Sequence, residues 1–132
     1  MIRPLAAATA LILLSCAPWP AQANWVGVAE NDKIRVYASR ATLVRQGNLV
    51  RMWSLLDYDA AQDSEQGTFR SAQTQDEYDC AARRSRLLIV TRHEGRMGGG
   101  KVVHTDRTAG EWEDLPAEGL LPILFRFACR GG

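Results

Sequence analysis

Apolar and polar residues alternate along Lys33-Ile34-Arg35-Val36-Tyr37-Ala38, the two-residue period of a half-buried strand. Downstream, Gln46-Gly47-Asn48 separates two runs rich in Val and Leu, Thr42 to Arg45 and Leu49 to Tyr58. Glycine and asparagine between such runs predict a hairpin. In the second run the alternation assigns Val50, Met52, Leu56 and Tyr58 to a core face. Arg51, Trp53 and Asp57 then lie on a face at least partly in water. Further strands are expected at Trp25 to Glu30, Thr68 to Tyr78, Arg86 to His93 and Lys101 to Asp106, with Asp59 to Gly67 as a polar loop. The pattern makes about six strands and contains no internal repeat.

The alternation stops near the C-terminus. From Pro116 to Cys129 the chain is largely apolar, and Leu120, Leu124, Phe127 and Ala128 recur at helical spacing. Pro122 is compatible with a helix if it stands in the first turn, where its missing N–H has no partner to lose. A short helix laid on one face of an antiparallel sheet gives an α+β fold.

Upstream of the first strand, a charged start (Met1-Ile2-Arg3) leads into an apolar run from Leu5 to Leu14 and then Ala21-Gln22-Ala23. The run is too short to span a bilayer, and with its small-residue ending it reads as a secretory signal peptide over 1–23, with one domain over 24–132. Leu13-Leu14-Ser15-Cys16 competes as a lipidation signal, in which Cys16 would carry the anchor. Either route predicts export, to the periplasm, the outer-membrane surface or the medium. It also removes Cys16 from the thiol pool, leaving Cys80 and Cys129. Two cysteines in a small exported domain are most simply a disulfide; a metal pair or a catalytic thiol is the weaker alternative, because the two lack a C-x-x-C spacing.

Sixteen basic residues face fifteen acidic ones in the whole chain, and loss of Arg3 with the leader brings the mature charge to balance. That argues against a nucleic-acid partner. Gly95-Arg96-Met97-Gly98-Gly99-Gly100-Lys101-Val102 has the spacing of a phosphate-binding loop but ends in Val102 where a hydroxyl is needed. The β-branched run after it predicts a strand instead of a helix. The glycines are therefore expected to form a turn between antiparallel strands, with no nucleotide.

His93 and His104 flank that turn and would share a face if Glu94 pairs with Lys101, but two histidines are a weak metal set. Asp57-Tyr58-Asp59 lacks calcium-loop spacing, and the carboxylates of Gln75 to Cys80 read first as a solvated strand face. No serine, cysteine or histidine stands in the context of a nucleophile, so neither catalysis nor a cofactor or metal is expected. The cluster Arg83-Arg84-Ser85-Arg86, with Trp53 on the wet face, is the candidate for binding a protein partner, since arginine and tryptophan are enriched at interface hot spots. The same arginines could instead only pair with Asp76, Glu77 and Asp79.

Taken in order, these residues resemble a known family. Trp25-Val26-x-Val28, Asn31-Asp32, Val36-Tyr37, Gly47-Asn48-x-Val50-x-Met52-Trp53, Leu56-x-Tyr58, Glu77-Tyr78-Asp79-Cys80, Met97-Gly98-x-Gly100-x-Val102-Val103, Trp112 and Ala128-Cys129 look like the surface-adhesin protein E family of Gram-negative bacteria. The resemblance implies about six antiparallel strands, a helix packed on the sheet and a bond between Cys80 and Cys129. It implies an adhesin that binds host matrix and serum proteins such as vitronectin, laminin and plasminogen, with the membrane met only through a lipid anchor. A periplasmic envelope protein with a partner in its own cell is the alternative. Either sheet edge could also pair with another copy to make a homodimer.

Overall fold

The computed structural model describes residues 24–130; the expected signal peptide and Cys16 lie outside the described residues. The alternating runs form six main strands, β1 (Trp25–Glu30), β2 (Ile34–Ser39), β4 (Leu49–Ser64), β5 (Gly67–Asp79), β6 (Arg84–His93) and β7 (Val102–Asp106). Two short strands, β3 (Val44–Gln46) and β8 (Glu113–Asp114), and one helix, α1 (Leu120–Arg130), complete the described chain. The main strands stand in the order β1-β2-β4-β5-β6-β7, each antiparallel to its neighbours, so β1 and β7 are the edges of an open sheet.

Strands β2 and β3 behave as one interrupted strand. Both pair with β4, β2 against Ser54 to Tyr58 and β3 against Leu49 to Arg51, with a 3-10 turn at Arg40–Thr42 between them. Thr42 bridges the break: its hydroxyl donates to the Ser39 carbonyl at 2.8 Å and accepts the Trp53 N–H at 3.0 Å. Gly47, at φ +60°, makes the expected hairpin turn from β3 into β4, where glycine takes a left-handed backbone without steric cost.

The polar loop expected at 59–67 is not there. Strand β4 runs on to Ser64 and returns as β5 from Gly67, with an irregularity in the pairing between Asp57 and Gln62. The β4 arm of this hairpin is mostly exposed, Phe69 on the β5 arm is buried edge to face against Tyr58 at 5.8 Å, and the ladder satisfies the backbone.

The core lies between the sheet and α1. Leu124, Phe125 and Ala128 pack on Val36, Ala38, Val50, Met52 and Tyr78, and the Tyr78 and Phe125 rings meet edge to face at 6.1 Å. Pro122 stands in the first turn of α1, as its chemistry demands. Cys80, immediately after β5, bonds to Cys129 in the last turn of α1, with Cα atoms 5.7 Å apart. Closing this 49-residue separation is worth about 4 kcal/mol in the chain-entropy account. The tie holds the end of the helix to a central strand.

Candidate binding surface

Opposite α1, the sheet carries a second face built from the alternate residues of the same strands. Glu77 on β5 faces Arg51 on β4 in register and Arg86 on β6 on its other side. The Arg51 Nε donates to Glu77 at 2.8 Å, and Arg86 donates through Nε at 2.9 Å and Nη2 at 2.7 Å. Only 3% of Glu77 is exposed. Burial pushes its carboxyl up, but the hydrogen bonds and charges of the two guanidinium groups outweigh burial and hold it below the usual carboxylate range. A buried acid held between two cations fixes the orientation of both arginines.

Trp112 covers this network. The segment after β7 runs back along the start of β6, held by Gly110 N–H to the Leu87 carbonyl at 2.8 Å, Leu115 N–H to the Arg83 carbonyl at 3.0 Å, and β8 pairing with Arg84 and Ser85. That path sets the indole 4.7 Å from the Arg86 guanidinium and 5.6 Å from that of Arg84, within cation–π range. Arg84 also lies 3.6 Å from Asp79. Trp53, two residues along β4 from Arg51 and in register with Gln75, stands on the same face.

The candidate residues thus separate. Arg84, Arg86 and Trp53 belong to the open face, whereas Arg83, at φ +56°, turns its guanidinium to 5.4 Å from the Phe125 ring of α1. Trp112, a lone aromatic in a polar stretch, belongs with the first three; the sequence shows it only as part of the family resemblance, with nothing to place it beside the arginines.

The glycine turn roofs the other half of this face. Asp57, expected in water, is only 2% exposed because the 94–101 turn folds back onto it. Its carboxylate accepts the Met97 N–H at 2.8 Å and Arg96 Nη2 at 2.8 Å, while Asp59 accepts the same Nη2 at 3.1 Å. The Ser71 hydroxyl donates to the Gly95 carbonyl at 2.7 Å and accepts the Gly98 N–H at 2.9 Å. Gly95 and Gly99 N–H groups bond to Gly99 and Arg96 carbonyls within the turn at 3.0 and 2.9 Å. Four amides of the turn, those of Gly95, Met97, Gly98 and Gly99, are therefore committed to the protein itself, and Lys101 leads into β7, not into a helix. Glycine is favoured at 98, where φ is +73° and a Cβ would stand 2.5 Å from the Gln73 amide nitrogen, so that a larger residue would strain the backbone and push Gln73 aside. Met97, itself at φ +54°, is left 44% exposed at the tip.

Two expectations for titratable groups are corrected. Asp76 and Glu77 do not form a solvated face: Asp76 is 7% exposed on the helix side, bonded by the Thr74 hydroxyl at 2.9 Å, and burial raises its pKa to about 6. Burial, and next the Asp76 charge, hold the Tyr78 phenol well above its usual range. Nor do the histidines share a face. Glu94 N–H does bond the Lys101 carbonyl at 2.9 Å, but an irregularity then sets His93 opposite Val102 and His104 opposite Arg92. His93 is buried, which lowers its pKa. Among the described residues no group of three or more His, Cys, Asp or Glu is placed to hold a metal ion.

An open antiparallel sheet has one face closed by a disulfide-tied helix and the other carrying arginines held by a buried glutamate, beside Trp53 and Trp112, in a single α+β fold. Residues 25–130 match the model of the surface-adhesin protein E family, and the chain belongs to that family. Its fold is similar to that of Haemophilus influenzae protein E in crystal form II, with a TM-score of 0.63 at 11% identity over 80% of this chain and 87% of that one. Protein E from non-typeable Haemophilus influenzae is similar with a TM-score of 0.62 at 12% identity, over 86% of this chain and 80% of that one. No curated protein matches the sequence.

Proposed function

We propose that this protein is a non-enzymatic, exported surface adhesin that binds host matrix or serum proteins through its open sheet face. Family membership over residues 25–130 is the observation that carries the reading. The surface itself fits: Arg86 and Arg84 against Trp112, with Trp53 nearby, offer large aromatic area and directional donors on a backbone that loses little entropy on binding. Cations at the rim speed encounter with acidic partners and make the complex weaken with salt. Arg83, on the other face, would serve a partner only if contacts wrap around the β5–β6 turn.

Fractionation with a surface-protease assay, paired with solid-phase binding to vitronectin, laminin and plasminogen, tests the proposal. Protease-accessible protein that binds at least one of them supports it. Protein confined to the periplasm and binding none of them would favour an envelope protein with a partner in its own cell.

A further inference from the structure

Edge strand β1 and helix α1 leave a long furrow between them. Two adjoining grooves of about 350 Å³ each meet at Ile123. Val28, Ile34, Leu120, Ile123 and Phe127 line them, each only partly buried, so the furrow has an apolar floor that the fold itself does not cover. Its length follows β1, whose six residues span roughly 20 Å at the usual rise of a strand.

One end of the furrow is cationic. Arg40, Arg126 and Arg130 all line it there, and all three are exposed. None has a carboxylate within ion-pair distance among the described residues, in contrast to Arg51, Arg84, Arg86 and Arg96 on the far face. Arg130 also complements the C-terminus of α1, but Arg126 lies a turn earlier and Arg40 belongs to another element. Its guanidinium is stacked 4.3 Å from the centre of the Phe127 ring, which directs it into the same groove. The opposite end carries Glu30, so the furrow is polar along its axis.

From this arrangement we propose that the β1–α1 furrow is a binding site for an anionic amphiphile, a single acyl chain carrying a carboxylate or phosphate head. The chain lies along Val28, Ile123 and Leu120, and the head meets Arg40, Arg126 and Arg130. An uncharged lipid would gain the same apolar burial but no ion pairs. A short anion would gain the ion pairs without the burial. Only a molecule with both uses the whole furrow. The site is on the helix side and is independent of adhesion through the open face.

Titration of the purified full chain with oleate, oleoyl lysophosphatidate, monoolein and an extended peptide of alternating glutamate and valine tests it. Oleate and lysophosphatidate should saturate at one ligand per chain, and the tighter of the two identifies the preferred head. Monoolein should bind at least about tenfold more weakly. The Arg40→Ala/Arg126→Ala variant should lose at least about tenfold in oleate affinity, and Ile123→Glu should lose binding altogether. Arg107→Ala, an exposed change outside the furrow, should leave it unchanged. Arg126→Glu alone, at an exposed helix position, serves if the double variant lowers Tm. Equal binding of monoolein and oleate, or full oleate affinity in both arginine variants, would overturn the proposal. So would binding of the peptide alone, which would make the furrow a polypeptide interface.

Discussion

The carboxylate of Asp57, at the centre of β4, accepts the backbone N–H of Met97 at 2.8 Å from a turn forty residues further along the chain. With Arg96 Nη2 on its other oxygen, Asp57 is what holds the glycine turn onto the sheet.

Replacing Asp57 by alanine removes the acceptor of the Met97 amide and the buried carboxylate partner of Arg96. We expect a loss of about 2–4 kcal/mol, as for removal of a buried charged hydrogen-bonding partner. Denaturant unfolding measures it, and amide exchange at Met97 and Gly98 should rise together. A loss under about 0.5 kcal/mol, the level of an ordinary surface change, would show that the turn holds itself.

Asp76 makes stability depend on pH. Its folded-state pKa, about 6, lies above the ordinary 3.8, so the native state binds the proton more tightly than the unfolded chain. The associated stability is present below pH 3.8 and is lost as pH rises through about 6. A shift of that size corresponds to roughly 3 kcal/mol at neutral pH. Asp76→Asn should therefore raise stability at pH 7 and remove the fall between about pH 4 and 6. His93 has the opposite sign: burial depresses its pKa, so its contribution is present above the ordinary 6.5 and lost as pH falls through the lower folded value. Unfolding curves across this range should show the acid arm of His93 surviving in Asp76→Asn. An unchanged profile in that variant would contradict the assignment.

Reduction of Cys80–Cys129, or the Cys80→Ser/Cys129→Ser pair, should cost about 4 kcal/mol and lower Tm. The end of α1 should loosen before the sheet, because Cys129 is in its last turn. A Tm indifferent to reductant would mean that packing of Phe125 and Leu124 alone suffices.

Much of the sheet was legible because one face of it is a core. Val50 and Met52 alternate with Arg51 and Trp53 as expected, but from Leu55 the pattern reverses: Leu55 and Asp57 are buried, while Leu56 and Tyr58, expected in the core, are only partly so. Beyond Tyr58 the signal ends: residues 59–64 are polar or alanine and mostly exposed, and the one buried apolar residue of that hairpin, Phe69, stands on the opposite strand. Burial of Glu77 and Asp57 was not legible either. Their partners Arg86, Arg96 and Met97 arrive from other strands and turns, and local polarity carries no trace of them. His93 and His104 part company through one irregularity in a ladder, and Arg83 leaves its neighbours through one positive φ. Such single-residue register effects reverse a face without changing composition.

Binding of the Trp53→Ala/Trp112→Ala variant to immobilised vitronectin or laminin, beside the parent and the Arg40→Ala/Arg126→Ala variant, tests the adhesive reading most directly. Truncated hot-spot residues cost about 2 kcal/mol or more, so the tryptophan pair should bind at least about thirtyfold more weakly with its Tm close to that of the parent. The Arg40/Arg126 change on the helix side should bind like the parent. Parent-like binding by a folded tryptophan variant, or no binding by the parent itself, would contradict the account.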